Sequence, residues 1–395
     1  MPHSAEALLS NEAAAILDIL GLVTSKADVI KLTTDLRKQG FDPGLVAQCI
    51  TQAKLRYRAV AKFGQQKASK MLFTEDGLEQ STRTEVSNWH AKRFSRANVK
   101  SVADLGCGIG GDAMAFAGAG IDVTAIEMDS DAAALAAHNL SSYPNAKVSN
   151  SDATEAEITT DAIWLDPARR NLSSKAAGRV MLKPEDFSPN LDFAFELARQ
   201  RSAGIKLAGS LPHELIPEDC EANWVSHNSE LVETVLWFGA LGIAGKRSAV
   251  IIDQDALEFE GEEIPAPLDA PGQYIYDPIS AMVRSHLLGA FAIENGLWGI
   301  SGSIAYLSGD KKVDSPWLRG FEILEVLPLD SKRIAKRMGE LDIGTLEIKK
   351  RGVDITPEQL RPKLKLKGKK SATLILTKIA DSRKALVCQP IAYKD

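Results

Sequence analysis

The densest cluster of residues able to do chemistry lies between Val102 and Met114, which read VADLGCGIGGDAM. Gly106, Gly108 and Gly111 fit the pattern G-x-G-x-x-G, with Gly110 inside the same run. In such a turn, glycines let the backbone approach a ligand between a strand and the helix that follows. The glycines suit a nicotinamide dinucleotide and S-adenosylmethionine equally well, so the neighbouring carboxylates must discriminate. Asp104 stands two residues before the first glycine, and Asp112 directly follows the last. A pyrophosphate uses the positive N-terminus of a helix, and two carboxylates there oppose it. S-adenosylmethionine carries a sulfonium and an ammonium group instead, which acidic neighbours favour. The non-binding alternative is a glycine turn that serves tight packing alone.

Further along the chain, Glu127 lies 21 residues after Gly106, where a carboxylate can accept hydrogen bonds from both ribose hydroxyls. Ser151-Asp152 follow a weaker apolar run, within reach of an adenine amino group. AIWLDPARR, Ala162 to Arg170, sets Asp166-Pro167 at the end of a fourth strand, and ligands of open α/β sheets bind at the carboxyl ends of strands. Methyl transfer is an in-line displacement that asks mainly for positioning and exclusion of water. A carboxylate and a backbone carbonyl that accept an amine's hydrogens aim its lone pair, which makes Asp166 and Pro167 the catalytic candidates. Arg169 and Arg170 can hold a phosphate bidentately. On the plainer reading Asp166 caps a strand end and both arginines are surface residues. The six histidines show no metal-ligand spacing, and His213, soon after the fifth strand, is the one able to approach the site. Cys107 reads as a small packing residue.

These side chains need a scaffold that gathers strand ends. From Val99 onward the short apolar runs VKSVADL, IDVTAIE, AIWLDP, AGIKLAG, NWVSH and ETVLWF alternate with helical or loop segments. Such alternation predicts an α/β fold with a mostly parallel sheet covered on both faces. Helices are expected from Gly111–Asp112, after an N-cap at Ser130, and from Ser188-Pro189 with proline in the first turn. The first ninety-odd residues carry helical periodicity, broken at Gly40 and Asp42-Pro43. Asp253 to Pro278 is acidic and contains four prolines, which reads as a linker or excursion, followed by one helix from Ile279 to Asn295. Gly344 to Ile379 reads as strand, basic turn, short helix, basic turn and strand, with Thr356 as N-cap and Pro357 at the first helical position. The expected division is a helical region over 1–95, a cofactor-binding catalytic domain over 96–252, a linker and mixed excursion over 253–328, and a small basic α+β domain over 329–395.

The motif D-x-G-x-G, an acid ending the next strand and an aspartate after the third make Val99 to Gly239 resemble the class I S-adenosylmethionine-dependent methyltransferases. The resemblance implies a Rossmann-like sheet, with cofactor contacts from Asp104, Gly106, Gly108, Gly110, Glu127 and Asp152. Asp166-Pro167 is similar to the [DNS]-P-P-[aromatic] motif of enzymes acting on exocyclic amines of bases, and departs from it at Ala168 and Arg169. Phe73 to Phe94 resembles the segment that precedes the cofactor motif in trimethylguanosine synthase-like enzymes, with Thr82 in the place of that family's threonine. This implies a segment folded over the cofactor; otherwise it is a capped connecting helix. The sequence L-E-I-K-K-R-G, Leu346 to Gly352, and the order of elements around it resemble the THUMP-like domain appended to a family of bacterial class I methyltransferases. That likeness implies RNA binding, against the alternative of a small domain that packs on the catalytic one.

Composition agrees with a folded chain of two or three domains. Of 395 residues, 45% are apolar and 25% charged, which argues against a disordered or fibrous protein. No apolar run approaches the roughly 18–20 residues of a membrane helix, and the first residues lack the basic start and apolar core of a secretion signal. Four scattered cysteines without a C-x-x-C pair argue against structural zinc or a disulfide framework and point to the cytoplasm. The net charge of −5 conceals an asymmetry: Ser331 to Lys370 holds thirteen Lys/Arg and five Asp/Glu, a local +8, and Lys54 to Lys70 holds six cations and no acid. Two basic surfaces on an acidic chain suggest a polyanionic partner, unless each is only a solvated face. The favoured expectation is therefore a methyltransferase acting on a base nitrogen of structured RNA (rRNA or tRNA), with Lys349, Lys350 and Arg351 among the phosphate contacts. The alternatives are a methyltransferase for a small molecule or protein, and a non-catalytic RNA-binding scaffold.

Overall fold

The computed structural model describes residues 5–22, 26–169, 183–253 and 255–392, with 26–28 and 169 described by backbone alone. The N-terminal segment forms α1 (Ala5–Leu8), α2 (Asn11–Leu20), α3 (Lys26–Lys38), α4 (Pro43–Ala68), α5 (Glu75–Gln80) and α6 (Thr84–Arg96). Asp42 caps α4 by accepting from the Leu45 amide, Pro43 fills its first turn, and the helix breaks at Gly64, whose φ is +71°.

Next come β1 (Ser101–Leu105), α7 (Gly111–Gly118), β2 (Asp122–Glu127), α8 (Ser130–Leu140), β3 (Ala146–Asn150), β4 (Ala162–Leu165), α9 (Leu191–Gln200), β5 (Ser202–Leu207), β6 (Glu221–His227), β7 (Glu230–Phe238), β8 (Arg247–Ile252) and β9 (Ala256–Glu260). Their sheet runs β9-β8-β6-β7-β5-β4-β1-β2-β3. Strands β3, β2, β1, β4 and β5 pair in parallel, and β7 closes on β5 antiparallel. Chain order reverses between β1 and β4, which opens a crevice at their carboxyl ends. All four residues of β4 are buried, as expected of a central strand covered on both faces. Gly204 on β5 exists for a packing reason. A Cβ there would stand 2.6 Å from the Trp164 ring and 2.7 Å from that of Trp237, so any side chain would displace two buried tryptophans.

Two helix starts differ by a residue or more from the sequence expectation. Ser130 is the first helical residue rather than the cap, because Asp129 accepts from the Ala132 amide at 2.8 Å. Asn190 caps α9 through the Asp192 amide at 2.7 Å, and Ser188 instead pairs with Ala168 in a two-stranded ribbon. In both cases the carboxylate or amide immediately before the helix reaches the free amides of the first turn and takes the capping role.

The second sheet contains β10 (Tyr274–Pro278), β11 (Trp298–Gly299), β12 (Leu307–Gly309), β13 (Leu318–Pro328), β14 (Ile343–Lys350), β15 (Lys370–Ile379) and β16 (Ser382–Pro390), in the order β11-β12-β10-β13-β16-β15-β14. The segment expected as a linker thus supplies β9 and β10, since the buried run Tyr274-Ile275-Tyr276 pairs with β13 despite the nearby prolines. The single helix expected over Ile279–Asn295 is two, α10 (Ser280–Arg284) and α11 (Leu288–Glu294), divided at His286, whose φ is +62°. Helices α12 (Ser331–Glu340) and α13 (Pro357–Leu364) bury Ile334, Met338, Leu360 and Leu364 against one face of this sheet. Thr356 caps α13 as expected, in a capping box with Gln359. The chain divides into two compact units, Met1–Ala222 with Glu233–Lys246 and Ile252–Ala256, and Asn223–Val232 with Arg247–Ile251 and Leu257–Asp395. Among the described residues, no helix is long and apolar enough to cross a membrane.

Candidate active site

The strand ends of the first unit open onto a cavity of about 640 Å³. Asp104, Gly106 and Gly108 line it from the turn after β1, Glu127 from the end of β2, Asp152 from beyond β3, Asp166 from beyond β4, and Thr82 from the connection between α5 and α6. Seven of the residues singled out in the sequence therefore meet in one place. Gly110 and Pro167 are not among the lining residues. Gly110 (φ +86°) is the cap residue just before α7 and packs toward Leu140, whereas Pro167, next to Asp166 in the chain, is buried. His213 also lies outside the lining.

The turn is shaped by left-handed backbone at Gly106 (φ +83°) and Gly108 (φ +57°), which glycine adopts without strain. A Cβ on either would meet no atom within 4 Å, so both glycines face open space. Glu127 folds back over this turn: one carboxylate oxygen accepts from the Gly108 amide and the other from the Asp129 amide, each at 2.9 Å. A carboxylate oxygen has more than one acceptor direction, so both can take a ligand hydroxyl as well. Asp152 accepts from the amide and hydroxyl of Thr154 at 2.8 and 2.7 Å, which hold its carboxyl below the usual range. Cys107 is buried, and burial together with Asp104 and Glu127 pushes its thiol far up. It is a packing residue, not a nucleophile.

Asp104 is 2% exposed, and its Oδ2 has no hydrogen-bond partner among the described residues. Burial, and then the negative charges of Asp112 and Asp166, push its carboxyl well above the usual range. A buried polar atom left unpaired is costly, so this oxygen is fitted to a donor that enters with a ligand, ideally a cationic one.

Beside it runs a chain of buried charges that sequence reading missed. Lys206, near the end of β5, donates to Asp166 and, at 3.0 Å, to the hydroxyl of Thr82. Thr82 donates to Asp112 at 2.7 Å, and the other Asp112 oxygen meets His90 Nδ1 at 2.9 Å. Nε2 of His90 meets Glu233 at 2.6 Å. Burial opposes charge on His90, yet Glu233 and Asp112 outweigh it and raise its pKa to about 9. Burial likewise disfavours a charged Asp112, but the bond from His90 keeps its carboxyl below the usual value. Burial raises Asp166, with Lys206 as the main opposing influence. Three carboxylates thus share two cations, with Asp104 and Glu127 adding further acid. Among the described residues the acids of the wall outnumber its cations, which suits a cationic ligand and opposes a pyrophosphate. One sequence signal pointed here: Lys206 interrupts the apolar strand run AGIKLAG. Nothing comparable marks His90 or Glu233.

The basic candidates fare differently. Arg170 lies outside the described residues, and of Arg169 only the backbone is described, paired with Phe187. Lys349 is bound to Asp277 at 2.7 Å and Arg351 to the same carboxylate at 3.1 Å, with its guanidinium 4.9 Å from the Tyr306 ring centre. Lys349, on β14, and Arg351, just past its end, both reach Asp277, whereas Lys350 between them is exposed. Neither Lys349 nor Arg351 is therefore the free phosphate grip expected of it. In Lys54 to Lys70, Arg56 is buried on the carbonyl of Met71, Lys62 donates to the carbonyls of Leu78 and Ser81 at 2.8 Å, and Arg58 pairs with Glu75. Half of that patch braces the segment that leads to Thr82.

Comparison with known proteins agrees with this geometry. A family model described as RNA cap guanine-N2 methyltransferase matches residues 99–162, one described as THUMP domain-like matches 318–390, and one for a domain of unknown function matches 2–59. Among solved structures, a candidate methyltransferase from Porphyromonas gingivalis W83 aligns over 100% of both chains with a TM-score of 0.74 and 20% identity, so the two share a fold. An uncharacterized S-adenosylmethionine-dependent methyltransferase of Mycobacterium tuberculosis is 31% identical over 350 residues, which cover 85% of this chain and 95% of that one. Matched over nearly the whole of that relative, the chain belongs to the S-adenosylmethionine-dependent methyltransferases, with S-adenosylmethionine as its cofactor.

Proposed function

We propose that this methyltransferase modifies a base nitrogen of a structured RNA, rRNA or tRNA, at the Asp166 end of its cavity. The observation that carries the reading is the sharing of one cavity by the glycine turn and Asp166. On this reading the orphan oxygen of Asp104 takes the ammonium of the cofactor, Glu127 the ribose hydroxyls and Asp152 the adenine amino group. Gly106 and Gly108 let the backbone lie close to it, while Gly110 shapes the turn. Thr82 belongs to the covering segment.

When bound, S-adenosylmethionine supplies an electrophilic methyl group: the acceptor nitrogen forms a bond to it as the carbon–sulfur bond breaks and leaves its electron pair on sulfur. The protein's part is positional. Asp166 accepts a hydrogen from the acceptor amine, and Pro167 restrains the backbone before it to an extended form, which steadies the carbonyl beside the carboxylate. The nitrogen's surplus proton leaves to solvent. The enclosing wall limits the water that would otherwise compete for these hydrogen bonds.

For the RNA itself, support comes from the family models over 99–162 and 318–390 and from the exposed cations Lys350, Lys363, Lys365, Lys367, Lys369 and Lys370, in the basic domain proposed for 329–395. Clustered lysines bind phosphates without regard to sequence. Transfer of labelled methyl to RNA from a deletion strain, and not to RNA from the parent strain, is the expected result. Absence of transfer to any RNA fraction, together with RNA binding insensitive to salt, would move the acceptor to a small molecule or protein.

A further inference from the structure

The charge chain assigns a task to Lys206, a residue outside every motif of the sequence. We propose that Lys206 is the positioning residue of the transfer step: its ammonium pins one oxygen of Asp166, leaving the other for the acceptor amine, and keeps that carboxylate charged. The inference rests on the reading that Asp166 meets the acceptor.

The geometry is specific. Lys206 is 12% exposed and Asp166 34%, and of the two it is Asp166 that lines the cavity, so the lysine backs the carboxylate from the less exposed side. The second Lys206 bond, to Thr82 at 3.0 Å, fixes the ammonium from another direction, so it cannot swing away with Asp166. Thr82 is in turn held by Asp112, and Asp112 by His90. The ammonium is therefore anchored through β5, the covering segment, α7 and α6. A carboxylate with one oxygen tied to such a point presents its other oxygen in one direction.

The charge argument runs the same way. Among the described residues, the groups that act on Asp166 are Lys206 from β5, Asp112 from α7, Glu233 from β7 and Asp104 from β1. Three of the four are acids, and burial also favours the protonated form. Among the described residues, Lys206 is the cation in direct contact with Asp166, whereas His90 faces Asp112 and Glu233. A protonated Asp166 would offer the amine a donor where an acceptor is required, so removing Lys206 shifts the balance toward the form that cannot orient it.

The test uses Lys206→Met and Lys206→Gln, with Lys206→Arg as rescue. Lys206→Gln retains a donor for Thr82 if the methionine variant fails to fold. Carbon-13 NMR of the aspartate carboxyls, assigned with Asp166→Asn, reads the ionisation of Asp166 directly and requires neither cofactor nor RNA. The Asp166 midpoint should rise by about one pH unit or more without the cation and return with arginine. In methyl transfer to RNA, kcat should fall about 10- to 100-fold, as expected when an orienting group is misplaced. The acidic limb of the pH profile should move upward, while RNA KM and S-adenosylhomocysteine affinity stay within about threefold. An unchanged carboxyl midpoint and acidic limb in folded variants would overturn the proposal, as would a proportional loss of cofactor-product affinity. If the unaltered protein methylates no RNA, the acceptor reading falls, and the NMR titration still decides whether Lys206 governs Asp166.

Discussion

Charged residues in the cavity and in the C-terminal basic run obey the same physics with opposite results. In the cavity, among the described residues, Asp104 keeps an oxygen without a partner and the acids outnumber the cations, so the charge is relieved either by protonating a carboxyl or by admitting a cationic ligand. In the basic run, Lys349 and Arg351 have Asp277 between them and aromatic rings beneath them, so their account is already closed. Net charge in a sequence therefore says little about what a surface can bind. What matters is which charges lack a partner.

The strongest way to break this contrast is at Asp166. Asp166→Ala should lower turnover by about 100-fold or more, with S-adenosylhomocysteine affinity nearly unchanged, because the carboxylate acts on the acceptor during transfer. Calorimetry beside single-turnover kinetics checks this, and a parallel loss of affinity would make Asp166 a cofactor residue instead. The other end of the charge chain answers to pH. The folded pKa of His90, about 9, is above its ordinary value near 6.5, so its stabilising contribution is complete below about pH 6.5 and disappears as pH rises through about 9. Denaturant midpoints measured from pH 7 to 10 should fall more steeply for the natural protein than for His90→Gln.

Packing sets the next effect. Gly204→Ala should destabilise the first unit by about 1–3 kcal/mol, the range for overfilling a dense core, since the new methyl meets Trp164 and Trp237 at once. A melting curve unmoved by this change would mean that the two rings can part without penalty. At Glu127 the expected effect is of similar size but confined to binding: Glu127→Ala should weaken S-adenosylhomocysteine by about 1–3 kcal/mol, the scale of lost hydrogen bonds to a charged acceptor. Isothermal titration would read it, and the Gly108 amide freed by the change contributes part of the loss.

What could be read from the sequence follows from how local each signal is. The glycine turn, the acid at Glu127 and Asp166-Pro167 are contiguous with the strands that carry them, so their convergence follows from the alternation of strand and helix alone. Thr82 could be placed through resemblance, but the hydrogen bonds that occupy its hydroxyl, donated to Asp112 and accepted from Lys206, could not. His90 lies more than a hundred positions before both Lys206 and Glu233, and only the folded sheet brings the three together. The misplaced grips have the same origin: Asp277 is 72 residues from Lys349, in a segment whose prolines suggested a linker, and no local pattern announces that pairing.

The smallest effect is also the sharpest test of partnered against unpartnered charge. Two sets of changes to Gln, Lys349 with Arg351 and Lys363 with Lys365 and Lys367, remove cations from the same basic stretch. The second set is exposed. If it grips phosphates, each lost contact releases fewer counterions, and the slope of log K against log salt should flatten by up to about one unit per contact, with RNA affinity reduced evenly across sequences. Melting temperature should stay within a degree or so, because exposed charges contribute little to stability. The first set should do the reverse. Asp277 is 16% exposed on its side chain, so removing both of its cations strands a largely buried carboxylate, and stability should fall while the salt slope keeps its value. A flattened slope in the first pair without any loss of stability would show that RNA competes successfully with Asp277 for these residues. The partner account drawn from the free protein would then be wrong for its complex.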